Sequence, residues 1–339
     1  MAILALVPRM LRDAPAPSPS VPGRVLPRVP RSRTIPRAIV VGDLLLDVVV
    51  APARPLERGT DVPGRVLLRQ GGSAATTARW LARLGVRTSL VTAIGRDGAG
   101  RALAARMTAD GVRLRAVRVP GLPTGRIAVV LDASGERSFV ADRGAADRLE
   151  PGDLRRAWFD GLDLLHLPAY SLLTRPLADA ARQAIGLARA EGALLSVDLA
   201  SIGPLLAGGR GPARTLVEEL GADILFATAA EARALIAGRR IDDLASLAPL
   251  AVVKRGPEGA TVLVRDDGSV LRFDVATTPL RAADTTGAGD AFDAGFLAAW
   301  LIARVAGTPR ASAVRRATVA GHRAASRQLT SPLPELTFA

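Results

Sequence analysis

The residues best suited to chemistry lie in one run near the carboxyl end of the chain, DTTGAGD at residues 284–290. The run enters a long apolar segment with helical spacing, and a helix start offers free N–H groups and a positive dipole end to an anion. A carboxylate at Asp290 would repel such an anion. Its presence predicts a base that takes a proton from a hydroxyl while the amides of Gly287, Ala288 and Gly289 hold a phosphoryl group. The alternative is that Asp290 only caps the helix.

Strands and helices alternate through most of the chain, as judged from short apolar runs and from 3.6-residue periodicity. We predict strands at residues 38–41, 88–94, 164–167, 194–198, 224–226 and 250–254, and a hairpin at 261–265 and 270–274. Helices are predicted at residues 73–84, 100–110, 176–191, 229–237, 287–303 and 311–326. This pattern favours a three-layer α/β/α fold, with a mainly parallel central sheet covered by helices on both faces.

Two segments, residues 48–70 and 117–143, break the alternation because they carry strand-like runs without a crossover helix. The second includes strands predicted at 127–131 and 138–141. We expect both segments to pair as a small separate sheet, a lid over the carboxyl edge of the main sheet. The globular domain should run from 37 to 332, between a disordered Pro- and Arg-rich tail at 1–36 and a short tail at 333–339.

Composition excludes several classes of function. The chain has no cysteine and only two histidines, His166 and His322, so disulfides, thiolate metal sites and a Ser/His/Asp triad are not expected. The formal charge of +13 suggests nucleic-acid binding, but residues 1–37 hold seven arginines against Asp13 alone. Few aromatic residues are present to stack on bases, so we expect no nucleic-acid partner. Without a membrane span or a signal peptide, we expect a cytoplasmic protein with no membrane contact.

The run DTTGAGDAFDAGFL from residue 284 resembles the C-terminal signature of the ribokinase or PfkB carbohydrate kinases at every position. The N-terminal signature of that family is similar to GGSAATTA at residues 71–78, followed by Gly85 and Gly95, with Thr76 where the family has Asn. The two signatures stand in the right order, and the resemblance covers roughly residues 37–332. It therefore implies a ribokinase-like kinase domain.

The resemblance implies how an acceptor molecule is held. GDLLLD at residues 42–47 is similar to the first strand of the family, whose end supplies an acid to substrate hydroxyls. That acid would be Asp47. For Asp43, a substrate-binding role and a purely structural role as a turn or cap residue are equally consistent with the sequence. Arg143, after the second lid segment, would clamp an anionic group or simply face solvent. The expected acceptor site consists of Asp43, Asp47, Gly71, Gly72, Thr76 and Arg143.

The resemblance also implies a nucleotide and metal site. KRGPEG at residues 254–259 resembles the nucleotide loop of the family, and TAAE at 228–231 stands where the family has Asn-x-x-Glu. Glu231 would then hold Mg²⁺ through water, or be an ordinary helix glutamate. A monovalent cation such as K⁺ would lie near Asp284. The expected ATP-contacting residues are Thr228, Lys254, Gly256, Gly259, Thr285 and Thr318.

Three departures from the family share one theme. Thr76, Thr228 and Thr318 stand where family members carry Asn, in a chain that contains no asparagine. Threonine keeps a hydroxyl but lacks the amide donors, so the identity of the substrate is what these changes put in doubt.

Together these observations predict ATP- and Mg²⁺-dependent phosphorylation of a hydroxyl on a sugar or related small polyol. The resemblance alone implies, in addition, a homodimer formed through the lids. A nucleoside kinase of the same fold is the first alternative, disfavoured by an aromatic content of 3%. A non-catalytic sugar or nucleotide sensor is the second, although a pure binder gains nothing from a carboxylate at Asp290. A dehydrogenase would need a GxGxxG after the first strand, and none is present.

Overall fold

The computed structural model describes residues 35–132, 137–236, 240–266, 268–282, 284–331 and 334–337. Most of the tail predicted at residues 1–36 lies outside these ranges. Part of the tail predicted at 333–339 is described. There Leu336 is buried, and its N–H donates to the Leu68 carbonyl at 2.7 Å. The chain near its carboxyl end therefore returns to the domain at Leu336.

Thirteen strands and eight α-helices make up the described part of the chain. The strands are β1 (Arg37–Val41), β2 (Leu45–Pro52), β3 (Gly64–Gly71), β4 (Arg87–Gly95), β5 (Arg113–Val119), β6 (Arg126–Leu131), β7 (Arg137–Asp142), β8 (Leu164–Pro168), β9 (Leu194–Asp198), β10 (Ile224–Thr228), β11 (Leu250–Lys254), β12 (Ala260–Asp266) and β13 (Ser269–Val275). The helices are α1 (Ser73–Arg83), α2 (Gly98–Ala109), α3 (Leu177–Ala190), α4 (Ile202–Leu206), α5 (Arg210–Leu220), α6 (Ala229–Ile236), α7 (Ala288–Val305) and α8 (Arg310–Thr330).

The larger sheet has nine strands, in the spatial order β13-β12-β11-β10-β9-β8-β1-β4-β5. Neighbours from β11 to β5 are parallel, and β12 and β13 join the β11 edge as an antiparallel hairpin. The central strands are short, wholly apolar or nearly so, and buried along their length, as strands covered on both faces must be. The predicted three-layer fold with a mainly parallel sheet is confirmed.

Helices cover both faces of this sheet, and side chains alternate between two cores. In β1, Ile39 and Val41 belong to the core under α3, α5 and α6, whereas Ala38 and Val40 belong to the core under α1, α2, α7 and α8. Helices α7 and α8 approach closely at a glycine: a Cβ added to Gly295 would lie 2.6 Å from the Ala320 carbonyl oxygen. This close packing fixes the helix whose first turn carries Asp290.

The smaller sheet has four strands in the order β3-β2-β6-β7, with β2 and β6 parallel and the two outer pairs antiparallel. Three residues separate the end of β1 from the start of β2, so the smaller sheet extends from the carboxyl end of β1. The separate small sheet predicted from the sequence is present. Its second segment begins later than predicted, however, because residues 117–119 belong to β5, which pairs with β4 in the larger sheet.

Most predicted elements match the structure to within two residues, and β9 and β11 match it fully. Three elements were missed. Strand β5 alternates arginine with apolar residues at the sheet edge, and this pattern was assigned to the lid. Helix α4 is only five residues long, and helix α5 has Gly211 and Pro212 in its first turn, where proline is tolerated but hides the helical signal.

Candidate active site

Asp43 lies in the loop between β1 and β2 and is almost fully buried, with 3% of its surface exposed. Its Oδ1 accepts the N–H of Ala74 at 3.1 Å, in the first turn of α1. Gly72, just before that turn, has φ of 96°, and a Cβ there would lie 2.6 Å from the Asp43 carbonyl oxygen. Glycine is therefore required at 72 for the loop and the helix start to meet.

The Asp47 side chain on β2 lies diagonally against Gly71 at the end of β3, two residues beyond its register partner Arg69. A Cβ at Gly71 would overlap the Asp47 carboxylate, so this glycine allows the acid to sit against the backbone. Burial raises the pKa of Asp47 to about 7, the charges of Asp43 and Asp284 add to the rise, and Arg69 opposes it. Asp47 thus lies in a small cluster of charges at the base of the lid.

Arg143 follows β7 and binds two acids at once. Its Nη1 donates to Asp43 Oδ2 at 3.2 Å, and its Nε donates to Asp147 Oδ1 at 2.6 Å. The guanidinium lies 5.5 Å from the centre of the Tyr170 ring. Nη2 is buried and has no hydrogen-bond partner among the described residues. Arg143 is therefore directed into the acid cluster and not into solvent.

Asp290 occupies the first turn of α7. Gly287 precedes the helix in the left-handed region, with φ of 74°, and the first-turn amides of Gly289 and Asp290 have no intrahelical acceptor. The Ala288 N–H instead approaches the Thr285 carbonyl at 3.3 Å. Ser73 Oγ donates to Asp290 Oδ1 at 2.6 Å and so joins the starts of α1 and α7.

The pKa of Asp290 is raised to about 7, with burial as the largest cause. The hydrogen bond from Ser73 and the charge of Lys254 favour the ionised form, whereas Asp198 and Asp43 disfavour it. Because both charges affect this pKa, Asp43 and Lys254 each lie within electrostatic range of the Asp290 carboxylate.

The loop before α7 rests on α8 and α1. Gln328 Nε2 donates to the Thr286 carbonyl at 3.0 Å, and Gln328 Oε1 accepts Trp80 Nε1 at 2.9 Å. A Cβ at Gly287 would lie 3.1 Å from the Thr76 methyl and 3.2 Å from Gln328 Nε2. Thr76 therefore meets this loop with a methyl group, and the amide beside Gly287 comes from Gln328.

Lys254 lies at the end of β11, with 11% of its side chain exposed, and bonds two buried acids. Its Nζ donates to Asp198 Oδ1 at 3.1 Å and to Asp293 Oδ2 at 3.0 Å. These charges raise its pKa against the opposing effect of burial. A Cβ at Gly289 would lie 3.4 Å from Nζ, so the ammonium also borders the first turn of α7.

Thr228 and Glu231 form a reciprocal cap at the start of α6. The Thr228 N–H donates to Glu231 Oε2 at 2.8 Å, and the Glu231 N–H donates to Thr228 Oγ1 at 3.2 Å. Burial raises the pKa of Glu231, and so does the charge of Asp198. A carboxylate is the ligand type that Mg²⁺ prefers, and a water-mediated contact fits one whose Oε2 is already engaged. Among the described residues, no group of three or more His, Cys, Asp or Glu is arranged to hold a metal ion.

The remaining predicted residues have different environments. Gly259, with φ of 94°, must be glycine because a Cβ would overlap the Val275 carbonyl, while Gly256 has open space around it. Thr285 is exposed in the loop before α7. Thr318 is fully buried and its hydroxyl donates to the Val314 carbonyl within α8, at 2.8 Å. Their contacts with a nucleotide stay predictions.

Sequence reasoning missed five residues of this region. They are Ser73, Arg69, Gln328, Asp198 and Asp293. Of these, Ser73 directly follows the Gly71–Gly72 pair and Asp293 stands one helical turn after Asp290, so both carried a local signal. The others are recognisable only once the fold brings them to their partners.

Comparison with known proteins identifies the family. The model of the pfkB family carbohydrate kinases matches residues 36–336. The chain belongs to the pfkB family. The Arabidopsis thaliana protein named Probable fructokinase-3 is 32% identical over 266 residues, which cover 74% of each protein. The ATP-dependent ribose-1-phosphate kinase of Halopiger xanaduensis is 33% identical over 243 residues, 68% of this chain and 73% of that protein.

Solved structures agree with this pfkB assignment. The adenosine kinase of Sinorhizobium meliloti superposes with a TM-score of 0.75 and 25% identity, covering 89% of this chain and 97% of that one. A ribokinase II of E. coli in complex with ATP and Mg²⁺ superposes with a TM-score of 0.72 and 24% identity, covering 88% and 94%. This pfkB chain is an ATP-dependent carbohydrate kinase.

Within its described part, no helix is both long and apolar enough to cross a membrane. The cytoplasmic location stays a prediction.

Proposed function

We propose that this kinase transfers the γ-phosphoryl group of ATP to a hydroxyl of a neutral sugar or polyol, with Asp290 as the base. The observation that carries the proposal is the position of that carboxylate. It lies in the first turn of α7 beside unpaired first-turn amides, and Ser73 at the start of α1 donates to it at 2.6 Å. An acceptor hydroxyl held between the two helix starts would meet the base and the anion-binding amides together.

The proposed reaction moves one proton and one phosphoryl group. The acceptor O–H gives its proton to the Asp290 carboxylate while its oxygen forms a bond to the γ-phosphorus, and the bond to the β-phosphate oxygen breaks to release ADP. The amides of Gly287, Ala288 and Gly289 form the proposed anion hole, to which the Ala288 N–H contributes once it leaves the 3.3 Å contact with Thr285. A base with a pKa of about 7 is suited to this transfer near neutral pH.

The charges at the acceptor end favour a neutral molecule. Arg143 is bonded to Asp43 and Asp147, so its charge is already compensated by two carboxylates. An acid or phosphate group on the acceptor would have to displace one of these pairs and lie next to Asp43 and Asp47. Sugar hydroxyls, by contrast, donate directly to carboxylates. We therefore assign Asp43, Asp47, Gly71, Gly72 and Thr76 to binding a neutral polyol, with Arg143 orienting Asp43.

We propose that the nucleotide binds along the loop after β11 and the start of α7. Gly256 and Gly259 shape that loop, and the Lys254 ammonium borders Gly289 while it is paired with Asp198 and Asp293. Thr228, Thr285 and Thr318 complete the proposed ATP contacts. Mg²⁺ carried by ATP would neutralise the phosphate charge, and Glu231 would hold it through water.

The small sheet is proposed both to exclude water from the acceptor and to pair two chains. Val66, Phe139 and Val140 lie on its outer strands, β3 and β7, and are 61%, 58% and 69% exposed. These large exposed apolar side chains, one on one edge strand and two on the opposite edge strand of the same sheet, support a homodimer formed through the lids.

The acceptor class can be tested by measuring ADP release from Mg·ATP with a panel of pentoses, hexoses, keto-deoxy acids, sugar phosphates and nucleosides. We expect kcat/KM for the best neutral sugar to exceed that of sugar acids and sugar phosphates by about tenfold or more. Preference for a nucleoside would support the alternative acceptor. ATP binding without stimulation by any acceptor would support a sensor and contradict the kinase mechanism proposed here.

A further inference from the structure

The loop that leads into the proposed anion hole runs from Asp284 to Gly287. Two of its groups need partners: the Asp284 carboxylate and the Thr286 carbonyl. Asp284 Oδ1 accepts the Thr286 N–H at 2.9 Å, which closes the loop on itself. Its second oxygen and the Thr286 carbonyl are bonded to side chains from distant parts of the chain. These two contacts determine what holds the loop in place.

The second oxygen of Asp284 is bonded to Arg69 on β3. Arg69 Nη1 lies 2.9 Å from Asp284 Oδ2, and the two side chains are only 19% and 33% exposed. Arg69 is also the residue directly opposite Asp47 in the β2–β3 pair, and its charge favours ionised Asp47. One guanidinium therefore compensates the charges of the acceptor acid and of the anion-hole loop.

The Thr286 carbonyl is bonded to Gln328 on α8. Gln328 is 8% exposed, and it is held from its other side by Trp80 and by Arg79 Nη2, 3.3 Å from its Oε1. Arg79 is fully buried, and its Nε and Nη1 have no hydrogen-bond partner among the described residues. A second guanidinium is thus connected to the loop through Gln328.

We propose that Arg69 and Gln328 hold the Asp284–Gly287 loop in the role that a monovalent cation would otherwise have, so that this enzyme needs no K⁺. A small cation near Asp284 would compete for oxygens that already accept N–H groups, and it would be repelled by the charges of Arg69 and Arg79. On this proposal, the place expected for K⁺ near Asp284 is taken by a cation built into the chain. This inference rests on the proposed function only for its activity readout.

The test compares full-length protein in KCl, NaCl and N-methylglucamine chloride at one ionic strength of about 0.1 M. Thermal unfolding needs no acceptor, so it remains informative even if the proposed substrate class is wrong. Turnover with the best acceptor is the second readout. Arg69→Gln removes the proposed internal cation, and Arg65→Gln makes the same change at an exposed position of the same strand.

For the unmodified enzyme we expect Tm to agree within about 1 °C and kcat within about twofold across the three salts. Arg69→Gln should lose about tenfold or more in kcat and gain a dependence of Tm or kcat on K⁺ or Na⁺, while Arg65→Gln behaves like the unmodified enzyme. The proposal would be overturned if the unmodified enzyme had a clearly lower Tm or a clearly lower kcat in the salts without K⁺ than in KCl. An Arg69→Gln variant as active as the Arg65→Gln control would also overturn it.

Discussion

Two carboxyl groups of the site, Asp290 and Asp47, reach a pKa of about 7 in different surroundings. In both, burial is the largest cause. Asp290 is assisted in ionising by Ser73 and Lys254, which border the start of α7, whereas Asp47 is assisted by Arg69 on the lid strand beside it. Asp290 and Asp47, the proposed base and the proposed acceptor-binding acid, therefore draw on different cations, and a change at one should leave the other largely intact.

At the residue scale, Lys254 is expected to be essential for stability. Lys254→Met would leave Asp198 and Asp293 without their shared cation in a site where they are 4% and 0% exposed. Removing one partner from a buried ion pair costs about 3–5 kcal/mol. The free energy of unfolding should fall by that amount in urea denaturation.

The neighbouring change Arg255→Met serves as a control, because Arg255 meets Asp274 at 3.5 Å in a partly exposed pair. It should cost about 1 kcal/mol or less. In the double variant Lys254→Met with Asp293→Leu, part of the lost stability should return, since one uncompensated carboxylate is removed. If Lys254→Met is no more destabilising than Arg255→Met, the assigned role of the lysine is wrong.

At the scale of elements, helix α7, which carries the proposed base, is positioned by its close contact with α8. Gly295 and Gly321 lie at the crossing, and a Cβ at Gly321 would come within 2.9 Å of the Phe292 ring and carbonyl. The same pair of helices holds the two ends of the site, since Asp290 lies in the first turn of α7 and Gln328 in the last turn of α8. Their spacing therefore sets the geometry of the anion-hole loop.

Gly295→Ala should reduce the free energy of unfolding by about 1–3 kcal/mol, because the added methyl group meets backbone atoms of α8 that cannot simply rotate away. Gly186→Ala is the matched control: Gly186 is also inside a helix, α3, but is exposed and has open space around it. There the same change should increase stability by up to about 1 kcal/mol. Equal effects at the two positions in thermal or urea unfolding would contradict the packing assigned to α7 and α8.

At the scale of the whole molecule, local patterns in the sequence predicted the mainly parallel central sheet and the separate small sheet that the structure shows. They also predicted Asp290 as the base, which stays a prediction. Periodicity and turn residues act over a few positions, and the anion-hole run from 284 to 290 is contiguous. The contacts that support it are not local: Arg69 and Asp284 are separated by 215 residues, and Trp80 and Gln328 by 248. Nothing in the sequence near Asp284 indicates that an arginine on the lid compensates its charge.

The missed elements have a similar origin. The alternating arginines of β5 look the same on a lid strand and on the edge of the main sheet, and only pairing with β4 distinguishes the two. Thr318 was predicted from a family position, whereas the fold turns its hydroxyl into its own helix. The position of a residue in a motif thus predicted which helices and strands meet at the site. It was a poorer guide to the hydrogen-bond partner of each side chain.

The central claim, that Asp290 is the base, is tested most directly by the pH dependence of kcat for the unmodified enzyme and for Asp290→Asn. The base must be ionised, so with a pKa of about 7 the rate of the unmodified enzyme should rise with pH through 7 and level off above it. Asp290→Asn should lose about 10³-fold or more in kcat, show no such rise, and still bind Mg·ATP. A folded Asp290→Asn variant within tenfold of the unmodified rate, with the same pH profile, would contradict the account.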